Sequence, residues 1–174
     1  MTGKEFLKAV SNGQTDILQI VLDILRETGA TYCVIGGLAV NAYAEPVVSL
    51  DLDLIVVAGD LERVRQAALS KGLRIQAFEH SISLSTTGSD LRIQLQTDSR
   101  YQAFLARGSR RTVLGYEMTV AALEDVLRGK IWAYSDESRR RSKRQKDLAD
   151  ILRLVEAHPQ LKTGLPPSLL SQTD

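Results

Sequence analysis

The sequence predicts an α/β fold: a small mixed, largely antiparallel sheet flanked by helices, with a helical part at the C-terminal end. Three observations carry that expectation. Apolar residues recur at helical spacing in residues 16–28, 121–134 and 147–155. Between the first two, short runs alternate with period two, most strictly Leu91-Arg92-Ile93-Gln94-Leu95-Gln96. One stretch, residues 32–57, joins an apolar run, a glycine pair and a second run carrying Asp51 and Asp53. The expected organisation is an α/β core over residues 1–118 and a helical part over 119–174, together one compact unit.

Composition bounds the function. With 44% hydrophobic and 25% charged residues the chain reads as an ordinary globular protein. A net charge of +1 gives no global field toward nucleic acid or membrane. The single Cys33 excludes a disulfide within the chain and reads as a small buried apolar residue, which fits a reducing cytoplasm. The N-terminus shows no signal-peptide pattern, and no apolar run approaches the roughly 20 residues of a membrane span.

Taken in order, residues 3–11 predict a short helix and Asp16–Thr28 a clear one. In the second, Ile17, Ile20, Val21, Ile24 and Leu25 share a face, Thr15 is the expected N-cap and Gly29 the stop. Tyr32–Ile35 is an expected buried strand ending at Gly36-Gly37. Paired glycines let the backbone turn and approach a ligand, and a short helix over Leu38–Ala44 would turn its first N–H groups toward a phosphate. Leu50–Val57 is the second strand. Leucines line one of its faces, and Asp51 and Asp53 stand side by side on the other. Adjacent carboxylates raise one another's pKa or recruit a cation, and oxygen ligands alone suit Mg²⁺ or Mn²⁺. The bland alternative is a solvated strand face.

Beyond this, a helix is expected from Gly59-Asp60 to Ser70. Strands are expected over Leu73–Phe78, Ser81–Thr86 and Leu91–Gln96, and a last strand region over 110–120. Ala121–Tyr134 is an expected helix with Leu123, Val126, Leu127, Ile131 and Tyr134 as its stripe and Lys130 at the border. Lys130 is either an edge lysine or a point charge for phosphates. Residues 139–146 are a dense basic run, read as a solvated face or a nucleic-acid contact. Leu148, Ile151, Leu152 and Val155 form a buried stripe, with Arg144, Asp147 and Asp150 along one face of the same helix. Pro166-Pro167 reads as the start of a loosely held tail, and His80 and His158 as surface residues.

Gly-Gly, a short helix and Asp-Leu-Asp on a strand, with thirteen residues between Gly37 and Asp51, resemble the signature of the nucleotidyltransferase superfamily, the polymerase-beta-like fold. Lys130 followed by Arg144-Gln145-Lys146-Asp147-Leu148-Ala149-Asp150-Ile151 resembles the C-terminal motif of its AbiEii-like branch, which includes toxins of toxin–antitoxin systems. The resemblance implies transfer of a nucleotidyl group from an NTP to a hydroxyl acceptor with Mg²⁺. It places Gly36, Gly37, Ser49 and Lys130 on the nucleotide, Asp51 and Asp53 on the metal, and catalytic roles on Asp51, Asp53, Lys130 and Asp147. It leaves RNA such as tRNA, a protein hydroxyl or a small molecule as the acceptor and an antitoxin as a candidate partner.

Two departures accompany it. Gln94 stands where the family carries a third carboxylate, and an amide cannot take a proton. Asp98 lies four residues further on, over 13 Å along a strand at about 3.3 Å per residue. Val47 stands where relatives have an arginine. A degraded module that binds nucleotide or a partner without turnover, and a purely structural protein, therefore remain the competing readings.

Overall fold

A computed structural model describes residues 1–173. Helix α1 (Gly3–Val10) opens with a capping box between Thr2 and Glu5. In α2 (Ile17–Thr28) the N-cap is Asp16, whose carboxylate accepts from the Gln19 N–H, and not Thr15 as expected. Gly29 closes the helix in the left-handed conformation. Seven strands follow: β1 (Tyr32–Ile35), β2 (Asp51–Val56), β3 (Arg74–Ala77), β4 (Ser81–Thr86), β5 (Ser89–Gln96), β6 (Ser109–Val113) and β7 (Tyr116–Val120). Interleaved or following are α3 (Gly36–Val40), α4 (Leu61–Ser70), α5 (Leu123–Ser135), α6 (Arg141–Ala157) and α7 (Pro167–Leu170).

The strands form one mixed sheet in the order β3-β4-β5-β2-β1-β7-β6. The β2–β5 and β1–β7 pairs are parallel and the other four antiparallel. The predicted α/β class therefore holds. The two strands of the glycine–carboxylate stretch lie in mid-sheet, joined antiparallel with Ile35 opposite Asp53. That register carries the chain from the end of β1 through Gly36 directly past the carboxylates. Leu52 and Leu54 are buried, at 2% and 0% exposure, while Asp51 and Asp53 alternate onto the other face.

Several expectations need correction. The expected helix over Leu38–Ala44 instead starts at Gly36 and ends at Val40. The last strand region is a hairpin, β6–β7, turned at Leu114 and Gly115 with φ of 51° and 82°. A 3₁₀ segment, Ser99–Arg107, packs against β1 and β2; polar Ser99, Arg100 and Gln102 hid it from pattern reading. The buried residues of α6 are Asp147, Ile151, Leu154 and Val155, with Leu148 and Leu152 only half-buried. The tail is not loose: Leu169 is buried, and Lys162 donates to the Thr173 carbonyl at 3.0 Å. His158 is half-buried and its Nε2 donates to the Tyr43 carbonyl at 2.7 Å. Among the described residues no helix is long and apolar enough to cross a membrane.

Candidate functional site

Helices α5 and α6 pack against each other and against α3, which brings the C-terminal part of the chain over the glycine turn and β2. A cleft of about 260 Å³ opens between them. Gly37, Ser49, Asp51 and Asp53 form one side, and Lys130, Asp147 and the basic half of α6 form the other. A smaller space of about 90 Å³ adjoins it, bounded by Gly36, Asp53, Gln96, Tyr101 and Lys130.

Gly36 has φ +66°, a left-handed value that suits glycine. A Cβ there would stand 2.6 Å from Asp53 Oδ2, so the turn lets the carboxylate lie on the backbone. At Gly37 the nearest atom to a Cβ would be Asp150 Oδ2, at 3.8 Å, so that position faces the cleft. The Ser49 hydroxyl accepts from the Asp51 N–H at 3.3 Å and donates to the Asp51 carbonyl at 3.1 Å, fixing the start of β2 at the cleft mouth.

The two carboxylates differ in surroundings. Asp51 Oδ1 takes a hydrogen bond from Arg92 at 3.1 Å and Oδ2 one from Lys143 at 2.8 Å. Burial alone would raise its pKa; the hydrogen bonds and charges of Lys143 and Arg92 outweigh that and hold the carboxyl below the usual range. Burial pushes Asp53 above the usual range, against a hydrogen bond from Gln96 and the charges of Lys130 and Arg139. Gln96 Nε2 donates to Asp53 Oδ1 at 3.2 Å.

Lys130 and Asp147 meet in a buried ionic network. The Lys130 ammonium lies 3.0 Å from Asp147 Oδ1 and 2.7 Å from Asp150 Oδ2. Arg139 holds the other oxygen of Asp147 at 2.8 Å, and Arg153 the other oxygen of Asp150 at 2.6 Å. Burial would lower the Lys130 pKa, but Asp150 and Asp147 reverse this and raise it. Arg153 also donates to Asn41 Oδ1 and to the Glu45 carbonyl, tying α6 to the loop that leads into β2.

All seven residues singled out from the sequence therefore border this one region: Gly36, Gly37, Ser49, Asp51, Asp53, Lys130 and Asp147. The basic run divides. Arg139 and Lys143 turn into the cleft, Arg144 donates to the Tyr134 carbonyl, and Arg140 and Arg141 are exposed. The sequence reads this run as a solvated face or a nucleic-acid contact, and neither reading turns two of its cations toward the carboxylates. Its signal was spacing: Lys143 and Asp147 are four apart on one face of α6, and Arg139 precedes the helix. Gln96 and Arg92 were also missed as partners of the carboxylates. Gln94 is in register beside Asp53 across the parallel β2–β5 pair, but its amide donates away, to Ser83 Oγ at 3.2 Å. Asp98 instead caps the 3₁₀ segment and pairs with Arg100.

Do these side chains fit a divalent cation? Among the described residues no three His, Cys, Asp or Glu side chains gather as a self-sufficient metal cage. Mg²⁺ does not need one, since it commonly takes one or two carboxylates and completes its shell with water and substrate phosphates. Asp51 and Asp53 supply those oxygens on one strand face, and Lys143 and Arg92 already act on Asp51 as stand-in cations. The donor set fits a hard divalent ion.

No protein-family model matches the chain, and a search of curated proteins finds no match. Solved structures do resemble it. The solution structure of the antibiotic-resistance factor ANT(2'')-Ia covers 91% of this chain and 90% of its own, with 12% identity and a TM-score of 0.56. The lincosamide antibiotic adenylyltransferase LnuA, bound to lincomycin, matches 80% of this chain and 98% of its own at 15% identity and a TM-score of 0.54. An antigenic nucleotidyltransferase-like protein from Paracoccidioides brasiliensis matches 95% and 84% at 18% identity and 0.56. At such identities the likeness establishes the fold alone.

Proposed function

We propose that the chain is a nucleotidyltransferase that moves a nucleotidyl group from an NTP to a hydroxyl acceptor with Mg²⁺ or Mn²⁺. One observation carries this: Asp51 and Asp53 share a face of β2 at the floor of a cleft walled by the cationic side chains of α6. The likeness to nucleotidyltransferase structures supports it.

In this reading Asp51 and Asp53 hold the metal, which when bound draws charge off the phosphates. Gly36 and Gly37 leave room for the polyphosphate, and Ser49 shapes its edge. Lys130 and Asp147 hold α5 against α6 and so set the cleft wall, and Lys130 adds positive charge near Asp53. The acceptor oxygen forms a bond to the α-phosphorus while the α–β bridging P–O bond breaks and pyrophosphate leaves; the hydroxyl proton passes to solvent. Acceptor candidates are an RNA such as tRNA, a protein hydroxyl, or a small molecule of the kind seen with LnuA. The C-terminal motif favours the AbiEii-like branch, with an antitoxin as partner and the cytoplasm as the setting.

A second reading has its own observation. The Gln94 amide occupies the register position beside Asp53 and is satisfied by Ser83, so no third carboxylate stands there. The module would then bind nucleotide without turnover. Titration with ATP, GTP, CTP and UTP plus Mg²⁺, followed by α-phosphate-labelled transfer to total RNA and protein, separates the cases. Transfer supports the enzyme, binding alone supports the degraded module, and no binding overturns both.

A further inference from the structure

We infer that Lys143 is a mobile cation of the cleft, a nucleotide-binding residue that holds Asp51 until a metal takes its place and then pairs with the polyphosphate. The inference rests on the nucleotidyl-transfer reading and adds to it a residue and an exchange.

The loop before β2 offers no cation at Val47, which is 54% exposed and lines the cleft. Positive charge on that side comes from α6 instead. Lys143 is on its first turn, with its ammonium 2.8 Å from Asp51 Oδ2, and the two side chains are 31% and 29% exposed. Both ends of this pair are therefore within reach of an incoming ligand. Arg92 stays on the other oxygen of Asp51. A metal binding Asp51 through Oδ2 must displace Lys143.

The displaced lysine has few anions to choose from. Asp147 is already shared by Lys130 and Arg139, and Asp150 by Lys130 and Arg153. Asp53 is bonded by Gln96 and covered by the Gly36 turn. The remaining anion is the one that arrives with the metal. A lysine suits such an exchange, because its ammonium is a point charge on a flexible stem with no fixed bonding plane. Lys130 is poorly placed for it, being 9% exposed and bonded to two carboxylates.

The exchange has a signature in which two affinities move in opposite directions. Lys143→Met removes the competitor of the metal, so Mn²⁺ alone, titrated by electron paramagnetic resonance, should bind several-fold more tightly. The same variant lacks the phosphate partner, so MgATP and Mg-tripolyphosphate, titrated calorimetrically, should bind roughly tenfold or more weakly. Lys143→Arg should recover much of the polyphosphate affinity. Arg140→Met, an exposed charge outside the cleft, controls for loss of general positive potential and should shift neither titration. A partly exposed pair adds little to stability, so Lys143→Met should fold. Unchanged affinities in Lys143→Met, or a fall in both, overturn the exchange while leaving nucleotide binding by the wild type intact. Absence of nucleotide binding by the wild type itself overturns the functional reading and the exchange with it.

Discussion

Lys130→Met separates a lysine that builds the site from one that serves only the ligand. The ammonium lies between Asp147 and Asp150, whose side chains are 2% and 15% exposed, and the Lys130 side chain as a whole is 11% exposed. Removing one partner of a buried ion pair costs about 3–5 kcal/mol, because a charge is left without compensation. Here Arg139 and Arg153 keep one oxygen of each aspartate paired. Methionine also restores most of the aliphatic stem. The loss should therefore fall below that range, at about 2–3 kcal/mol. For a chain of this size each kcal/mol moves Tm by about 2–4 °C, so Tm should drop by roughly 4–12 °C.

The pH dependence has a defined sign. The folded-state pKa of Lys130 is raised above its ordinary 10.5. Its charge therefore contributes fully below 10.5, and that stability is lost only as pH rises through the higher folded value. The gap between wild type and variant should be constant from pH 6 to 9. A double variant with Asp147→Asn should lose less than the two single variants added together, since both remove one interaction. The assay is thermal unfolding followed by circular dichroism, with MgATP titration on the same samples. A Tm shift under about 2 °C with nucleotide affinity abolished would refute the reasoning and make Lys130 a ligand contact alone.

The remaining predictions are shorter. Asp51→Asn should weaken Mn²⁺ binding measured by paramagnetic resonance, and without metal should lower Tm by no more than about 3 °C, because Lys143 and Arg92 lose a partly exposed partner. Gly36→Ala should cost about 2 kcal/mol in denaturant unfolding, since φ +66° strains any Cβ and Asp53 Oδ2 stands 2.6 Å from it. Gly37→Val should fold with little loss yet bind MgATP weakly in calorimetry, because its Cβ enters the cleft with Asp150 Oδ2 3.8 Å away.

The central stretch was legible because local pattern and tertiary position agree in it. Alternation in β2 put Asp51 and Asp53 on one face, and burial of Leu52 and Leu54 fixed which face that would be. The helical stripes of α2 and α5 were legible for the same reason. The ionic network was only half legible. Spacing placed Asp147 and Asp150 on one face of α6, but no periodicity says that Lys130, from another helix, will reach both. The basic run misled because polar residues on a helix are exposed by default, whereas α6 packs against α5 and α3 with Lys143 toward Asp51, and Arg139, just before the helix, pairs with Asp147. The β6–β7 hairpin was missed because Leu114 takes a positive φ with no Asn or Asp to signal it. The tail was misread because its prolines advertise a turn, whereas Leu169, in step with the buried Leu161 and Leu165 ahead of the prolines, finds the core.

Gln94 is where sequence and structure together make the sharpest claim about chemistry. Strand alternation put it on the carboxylate face, and the parallel register sets it directly beside Asp53, at the roughly 4.8 Å spacing of neighbouring strands. Its amide is nonetheless bonded to Ser83, and it is Gln96 that touches Asp53. A carboxylate introduced by Gln94→Asp would lie next to Asp53, whose ionisation burial already disfavours. Without metal the pair should share a proton, raising its apparent pKa values and lowering stability near neutral pH by about 1 kcal/mol. Stability of the variant should then fall as pH rises through that raised range, because the folded state holds the extra proton. Mg²⁺ should reverse the loss, since a third oxygen donor gains more from the ion than the glutamine did. A working general base adds about 10²–10⁴-fold in rate, so labelled α-phosphate transfer should rise by some part of that range. The readouts are Tm with and without MgCl₂ across pH 5–8, and transfer from each NTP. Equal Tm values for wild type and variant under every condition would mean that position 94 does not face the metal site, and the comparison with a third carboxylate would fall. Brisk transfer by the wild type, unimproved by the aspartate, would instead place the proton acceptor elsewhere and end the non-catalytic reading.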